Sequence, residues 1–309
     1  MLSDLEFIIQ SLTLNIFYLT NIRGFSLNIT LSFLNRECID TAKEYIIKSE
    51  KILNMFVDKI NDFLPENAIK GNFLVSEYTL PCEILTENLF NIKLDKAITN
   101  KLLLLKKHHL EEEPKEMVTL MTSVNKETYE LAVKYIDFLK SILNDIKTNK
   151  LFSYSSPFVI RTMIKAIEFY NEMMLRNIKK VRASPTSVSN YEYRVIELMR
   201  NIATYMSLIV NPERNDVYIK FNSFSVEFSH LRDSYLNVDL TPKTMIELTK
   251  KTQKSIFRYS NYFKEIIKEL LDNKVYFIVE PIFIDDFYRA ANYIIYNLNI
   301  IETSIMKEH

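Results

Sequence analysis

Along this chain apolar residues recur every three to four positions in long runs separated by short polar breaks, the pattern of amphipathic helices. Leu5, Ile8, Ile9, Leu12, Ile16, Leu19 and Ile22 set the first run, which predicts a helix from Leu5 to Leu34 interrupted at Gly24. Residues 35–37 break the pattern. Ala42, Ile46, Ile52, Leu53, Phe56 and Ile60 then carry a second helix from Ile39 to Phe63, ended by Pro65 and packed antiparallel on the first. Glu66 to Phe73, with Gly71, reads as a loop. Next, Ser76 or Thr79 caps a helix with Pro81 in its first turn, and a further stretch runs from Lys96 to Leu110. Met117 to Thr148 is a long amphipathic helix with Leu131, Tyr135, Phe138, Ile142 and Ile146 on one face. A helix opening at Pro157 closes the first half near Lys180.

Val181 to Ser189 alone has linker composition, so the domain boundary is placed there, giving residues 1–180 and 181–309. Helices follow over Tyr191 to Val210, Asp216 to Leu236, and Lys243 to Leu271 behind a Thr241-Pro242 cap, the last with its stripe at Ile256, Tyr259, Phe263, Ile266 and Leu270. The final helix runs from Pro281 nearly to His309. The two halves share a stretch. Pro157 to Tyr170 is echoed by Pro281 to Ile294, with Lys165-Ala166 answering Arg289-Ala290, and Asn149-Lys150 and Asn273-Lys274 end seven residues before each Pro. Shared spacing on both sides of the Pro predicts an internal duplication, with residues 73–112 an insert that has no counterpart in the second half.

Composition narrows the functional classes. At 309 residues the chain can bury two cores without disulfides or metal. Two glycines leave no material for a phosphate-cradling loop. No apolar run approaches the roughly 20 residues of a membrane span, and Asp4 and Glu6 are unlike the basic start of a secretory signal. Lys plus Arg equals Asp plus Glu at 39 each, so no net field draws nucleic acid or anionic lipid, and little charge opposes self-association. Cys38 and Cys82 are too few for a disulfide framework or thiolate metal site and read as reduced, buried thiols.

Candidate chemistry is sparse. Glu227-Phe228-Ser229-His230 is the one Glu-x-x-His in the sequence; its spacing sets both side chains on one helical face, as half of a metal site or as a surface pair. His108-His109, between Lys106-Lys107 and a Glu run, reads as a solvated stretch, because adjacent helical residues point about 100° apart. Glu83 is a candidate buried or capping carboxylate. Asp285-Asp286 is assigned to complementing the dipole of the last helix. Tyr288, Tyr293 and Tyr296 are either core or a partner-facing cluster. Four histidines in these places assemble no Ser-His-Asp or Cys-His arrangement.

The first helix segment Ser11 to Leu19, the block Glu77 to Glu87 and both Pro-initiated helices together resemble a domain-of-unknown-function family of spore-forming Firmicutes, whose members are duplicated ferritin-like bundles, some described as spore coat proteins. The resemblance implies metal-ligating positions: a Glu and a Glu-His pair on the first helix and a Glu-x-x-His on the last. In this chain those positions hold Thr13, Gly24-Phe25, Ala166 and Phe169 in the first half, and Asn190, Asn201-Ile202, Ala290 and Tyr293 in the second. The expected fold is therefore all-α, two tandem ferritin-like antiparallel four-helix bundles. The expected function is a non-enzymatic structural protein of the spore coat, without cofactor or bound metal, that associates with itself or other coat proteins. The alternative is a non-haem iron or manganese protein with redox or storage activity, drawing on Glu83, Glu227 and His230.

Overall fold

A computed structural model describes residues 1–60, 63–106, 115–182, 185–236 and 241–308. Among these the chain is all-α, with eleven α-helices, one 3-10 turn, two isolated antiparallel bridges and no strand. It divides into two compact units: Met1–Lys70 with Leu74–Arg182, and Ala183–His309 with the short segment Gly71–Phe73.

In the first unit, α1 (Asp4–Ser32) and α2 (Arg36–Phe56) form a hairpin, the short helices α3 (Glu66–Ile69), α4 (Thr79–Phe90) and α5 (Ala97–Leu103) follow, and α6 (Lys115–Lys147) and α7 (Pro157–Ile178) make a second hairpin packed on the first. Helix α1 opens on a capping box in which the Ser3 hydroxyl accepts from Glu6 N and the Glu6 carboxylate accepts from Ser3 N. It runs unbroken through Gly24, contrary to the expected interruption. A mid-helix glycine costs only about 0.5–1 kcal/mol, and the buried Leu19, Ile22, Phe25 and Ile29 around it outweigh that. From Ser11 to Ile22 every residue of α1 is buried, polar ones included. These polar groups are accommodated locally: Thr13 donates to Ile9 O, Asn15 to Ser11 O, and Asn21 to Phe17 O.

Other boundaries shift. Helix α2 stops at Phe56 and tightens into a 3-10 turn, Val57–Lys59, instead of continuing to Phe63. The segment after Pro65, expected as loop, begins with the single turn α3, which Lys70 braces by pairing with Glu66. Neither Ser76 nor Thr79 caps α4 as expected: its N-cap is Tyr78, without a side-chain cap bond, and Thr79, the first helical residue, accepts instead from Ser76 N ahead of the helix at 2.9 Å.

In the second unit, α8 (Pro185–Ile209) and α9 (Asn215–Leu236) form one hairpin, and α10 (Pro242–Leu271) and α11 (Pro281–Glu308) the other. Helix α8 starts within the stretch expected as linker, six residues before Tyr191, because Pro185 fits a first helical turn, where a missing N–H costs nothing. Thr241 caps α10 as expected, accepting from Thr244 N. The core is aromatic: Tyr259 contacts Phe221, Phe224, Phe228 and Phe263 edge-on. Tyr288, Tyr293 and Tyr296 belong to the interior and not to an exposed cluster; Phe73 packs on the rings of Tyr293 and Tyr296.

The α6–α7 and α10–α11 turns have the same construction. Asn149 and Asn273 take left-handed conformations with φ of 57° and 58°. Lys150 N then bonds back to Asp145 O, and Lys274 N to Glu269 O, satisfying the last carbonyls of the helix before. Beyond each turn a short extended piece bridges to the neighbouring hairpin of its own unit, Ser153 to Phe33 and Phe277 to Val210.

Candidate functional site

Charged groups enter the interior of each unit at a few points, and Arg23, Glu83, Glu192, Asp285, Asp286 and Arg289 have identifiable counterweights. In the first unit the centre is Arg23, on α1. Its guanidinium donates to Glu50 on α2 at 2.8 Å, to Glu83 on α4 at 2.9 Å, and to Asp95 O before α5 at 2.7 Å. Glu83, one of the sequence candidates, is fully buried; Thr99 donates to the same carboxylate oxygen at 2.9 Å, and the other oxygen has no partner among the described residues. Burial works against the Arg23 charge, and Glu83 and Glu50 more than compensate, so its pKa is raised. For Glu50 burial dominates and raises the pKa, with Arg23 opposing. This arrangement fastens α4 and α5 to the α1–α2 hairpin. Near it, an open depression of about 630 Å³ is lined by Glu87, Asn91, Leu94 and Lys96, among others. Its Glu87 is already engaged by Lys96 at 2.5 Å and Leu94 N at 2.7 Å.

A neutral network ties α1, α6 and α7: Asn15 donates to Asn125 at 2.5 Å, and Asn125 and Asn177 both donate to the Ser11 hydroxyl, at 2.9 and 2.8 Å. In the second unit Glu192, on α8, is buried and accepts from Thr249 at 2.5 Å and Tyr235 at 2.6 Å, with Thr252 beside the Tyr235 hydroxyl at 2.9 Å. Burial pushes the Glu192 pKa up, and the two hydroxyls pull it partly back. Asp285 and Asp286 lie one turn inside α11, fully enclosed, and both accept from the buried Arg289. Their role is thus an internal ion cluster and not dipole complementation at the helix start, because an enclosed carboxylate needs a direct counter-charge.

The remaining sequence candidates do not converge. Glu227 pairs with Arg258 on α10, while His230 is exposed one turn on. His108, His109 and His309 lie outside the described residues. Among the described residues no group of three His, Cys, Asp or Glu side chains is placed to hold a metal ion. At the positions where the resemblance implies ligands, Phe25, Ala166, Phe169, Ile202, Ala290 and Tyr293 are buried in the cores, and Thr13 is turned back onto its own helix. Cys38 and Cys82 are free and buried, and burial pushes the Cys38 thiol up to about 12, with Asp145 and Glu37 adding to the shift. Arg23 and Glu192 were missed from sequence. Arg23 had a signal, a lone cation inside an otherwise uncharged run; Glu192, in a polar neighbourhood at the start of its helical stripe, had none.

Among the described residues no helix is long and apolar enough to cross a membrane. No family model matches the chain. Its fold is that of an uncharacterized protein from Bacillus cereus G9241, with a TM-score of 0.70 at 13% identity over 96% of this chain and 92% of that one. In sequence the chain is similar to Spore coat protein CotB of Clostridioides difficile (strain 630), 20% identical over 297 residues that span 96% of this chain and 97% of the relative.

Proposed function

We propose that this chain is a structural component of the spore coat, built from two copies of a ferritin-like bundle whose ligand positions have been given over to packing. The observation that carries the reading is the end-to-end similarity to a spore coat protein, which covers nearly all of both chains and so includes the α3–α5 segment as well as the bundles. The interior supports it. The buried carboxylates Glu83, Asp285 and Asp286 face arginines, Glu192 faces hydroxyls, and Ala166, Phe169, Ala290 and Tyr293 fill positions that the resemblance gives to ligands. The recurring turns at Asn149 and Asn273 and the two recurring bridges support the duplication. Residues 1–180 and 181–309 are the two copies, the first enlarged by residues 73–112.

The test is fractionation of spores from the host, with an antibody to this chain. Enrichment in the extracted coat, and its loss there on gene deletion, is the expected result; confinement to the mother-cell lysate would overturn the proposal. Elemental mass spectrometry on protein made with iron, manganese and zinc supplied separates the alternative. Stoichiometric metal that disappears in Glu227→Ala, His230→Ala or Glu83→Gln would replace the structural reading with a metal-binding one.

A further inference from the structure

In an all-α chain, Val275-Tyr276-Phe277-Ile278-Val279 is out of character: five consecutive β-branched or aromatic residues with no charge between Lys274 and Glu280. Such a run belongs in a sheet, yet here it is bridged on one side only. Asn211 N donates to Tyr276 O at 3.0 Å and Ile278 N to Ile209 O at 2.9 Å. That pattern makes Phe277 and Val210 a non-hydrogen-bonded pair, so the N–H and C=O of Phe277 point away from Val210. Among the described residues neither has a backbone partner. Val275 is buried, whereas Tyr276 is 58% exposed and Ile278 76%.

The other unit repeats the arrangement at the equivalent place. Ser153 bridges Phe33 while Tyr154 N donates to Ser32 O at 2.9 Å, and the same register turns the Ser153 amide outward. Phe152 is 61% and Tyr154 70% exposed, their rings 5.2 Å apart, with Leu34 across the bridge 68% exposed. An exposed strand edge without a charge pointing outward is a template for another strand.

We infer that each of these edges is a self-pairing site, at which the same segment of a second copy of this chain adds as an antiparallel strand. The inference deepens the coat reading and rests on it for its biological setting. Register selects the occupant. A two-fold pairing centred on Phe277 joins the outward N–H and C=O of each copy to those of the other. It sets Tyr276 opposite Ile278 of the second copy, an aromatic against a β-branched residue, which is a favourable cross-strand pair. Centred on Ser153, the same operation sets Phe152 opposite Tyr154 of the second copy. Lys274 falls opposite Glu280 and Lys150 opposite Ser156, so neither pairing opposes like charges.

Size decides what such contacts build. Taking about 200 Å² for a large exposed side chain, each edge offers on the order of 300 Å² of apolar surface, against roughly 800 Å² per partner in a standard stable interface. One edge contact is weak, and two distinct two-fold contacts on one chain carry an assembly beyond a dimer.

The experiment uses the full chain. Tyr276 and Ile278 of opposite copies would sit about 4.5 Å apart at Cα, within disulfide range, whereas Tyr276 and its own equivalent would be diagonal and too far apart. A mixture of Tyr276→Cys and Ile278→Cys proteins is expected to form a disulfide-linked dimer under mild oxidation that neither variant forms alone. In sedimentation velocity the wild type is expected to gain mass with concentration, Ile278→Lys to stop at dimers through the Ser153 edge, and Tyr154→Lys with Ile278→Lys to stay monomeric. Circular dichroism checks that these surface variants remain folded. A wild type that is monomeric throughout overturns the edge proposal whatever the spore fractionation shows. Assembly unaffected by the Lys variants, or cysteine linkage in the single variants as readily as in the mixture, overturns it too and leaves the coat reading standing.

Discussion

Replacing Arg23 by Ala tests whether the first unit depends on its buried ion centre. The guanidinium makes three hydrogen bonds, to Glu50, Glu83 and Asp95 O, and the Glu83 side chain it faces is fully buried. Removing one partner of a buried pair costs about 3–5 kcal/mol, because the other charge stays enclosed without compensation. The Arg23 side chain is 14% and that of Glu50 17% exposed, so water reaches the outer part of the cluster and the lower end of that range applies. With a urea dependence of roughly 2–3 kcal/mol per molar, a loss of about 3 kcal/mol lowers the unfolding midpoint by about 1–1.5 M. Hydrogen exchange localises the effect, since α4 and α5 lose their tie to α1 and α2 and should exchange faster than the centres of α6 and α7. Glu83→Gln in the Arg23→Ala background should restore part of the loss by removing the stranded charge. A midpoint within about 0.3 M of wild type, or exchange in α4 and α5 that does not change, would refute the reasoning.

Three further outcomes follow from other parts of the structure. Glu192 has a pKa raised above its ordinary 4.5, so its contribution to stability is complete below about 4.5 and is lost as pH rises through the folded-state value. Thermal unfolding of Glu192→Gln should match wild type more closely at pH 4 than at pH 8, where the variant gains relative to it; a constant difference across that range would argue against a buried, weakly compensated carboxylate. Asn273→Ala should lower stability by about 1–2 kcal/mol by forcing a Cβ-bearing residue without a local side-chain bond into the left-handed turn, and Asn273→Gly should not, as denaturant midpoints will show. Tyr259→Phe removes a hydroxyl that is buried without a hydrogen-bond partner among the described residues and should raise stability by about 1 kcal/mol in the same assay, whereas a loss would mean the hydroxyl is satisfied.

The helices were legible because their causes are local. The three-to-four spacing of Ile256, Tyr259, Phe263, Ile266 and Leu270 and the Thr241-Pro242 cap identify α10 without reference to any other segment. The left-handed Asn149 and Asn273 stand in the repeated Asn-Lys pairs that the sequence shows by inspection. At Gly24 a weak local signal met a strong tertiary one: glycine is a poor helix residue, but α1 is buried around its whole circumference there.

Polar residues separate the two levels more sharply. From sequence alone, Asp285-Asp286 is a pair of carboxylates near a helix start, and Arg23 a cation in an otherwise uncharged run. Only the folded chain puts Arg289 against both aspartates and brings Glu50, Glu83 and Asp95 to Arg23 from three separate segments. Periodicity reports which face a residue occupies, because that follows from backbone geometry. It does not report which distant side chain arrives opposite, because that is set by packing between elements remote in sequence. The amino-acid sequence by itself therefore determined the all-α character, the helical stripes and the Thr241 cap. Tertiary structure decided which charges are enclosed, what neutralises them, and which β-prone edges are left facing solvent.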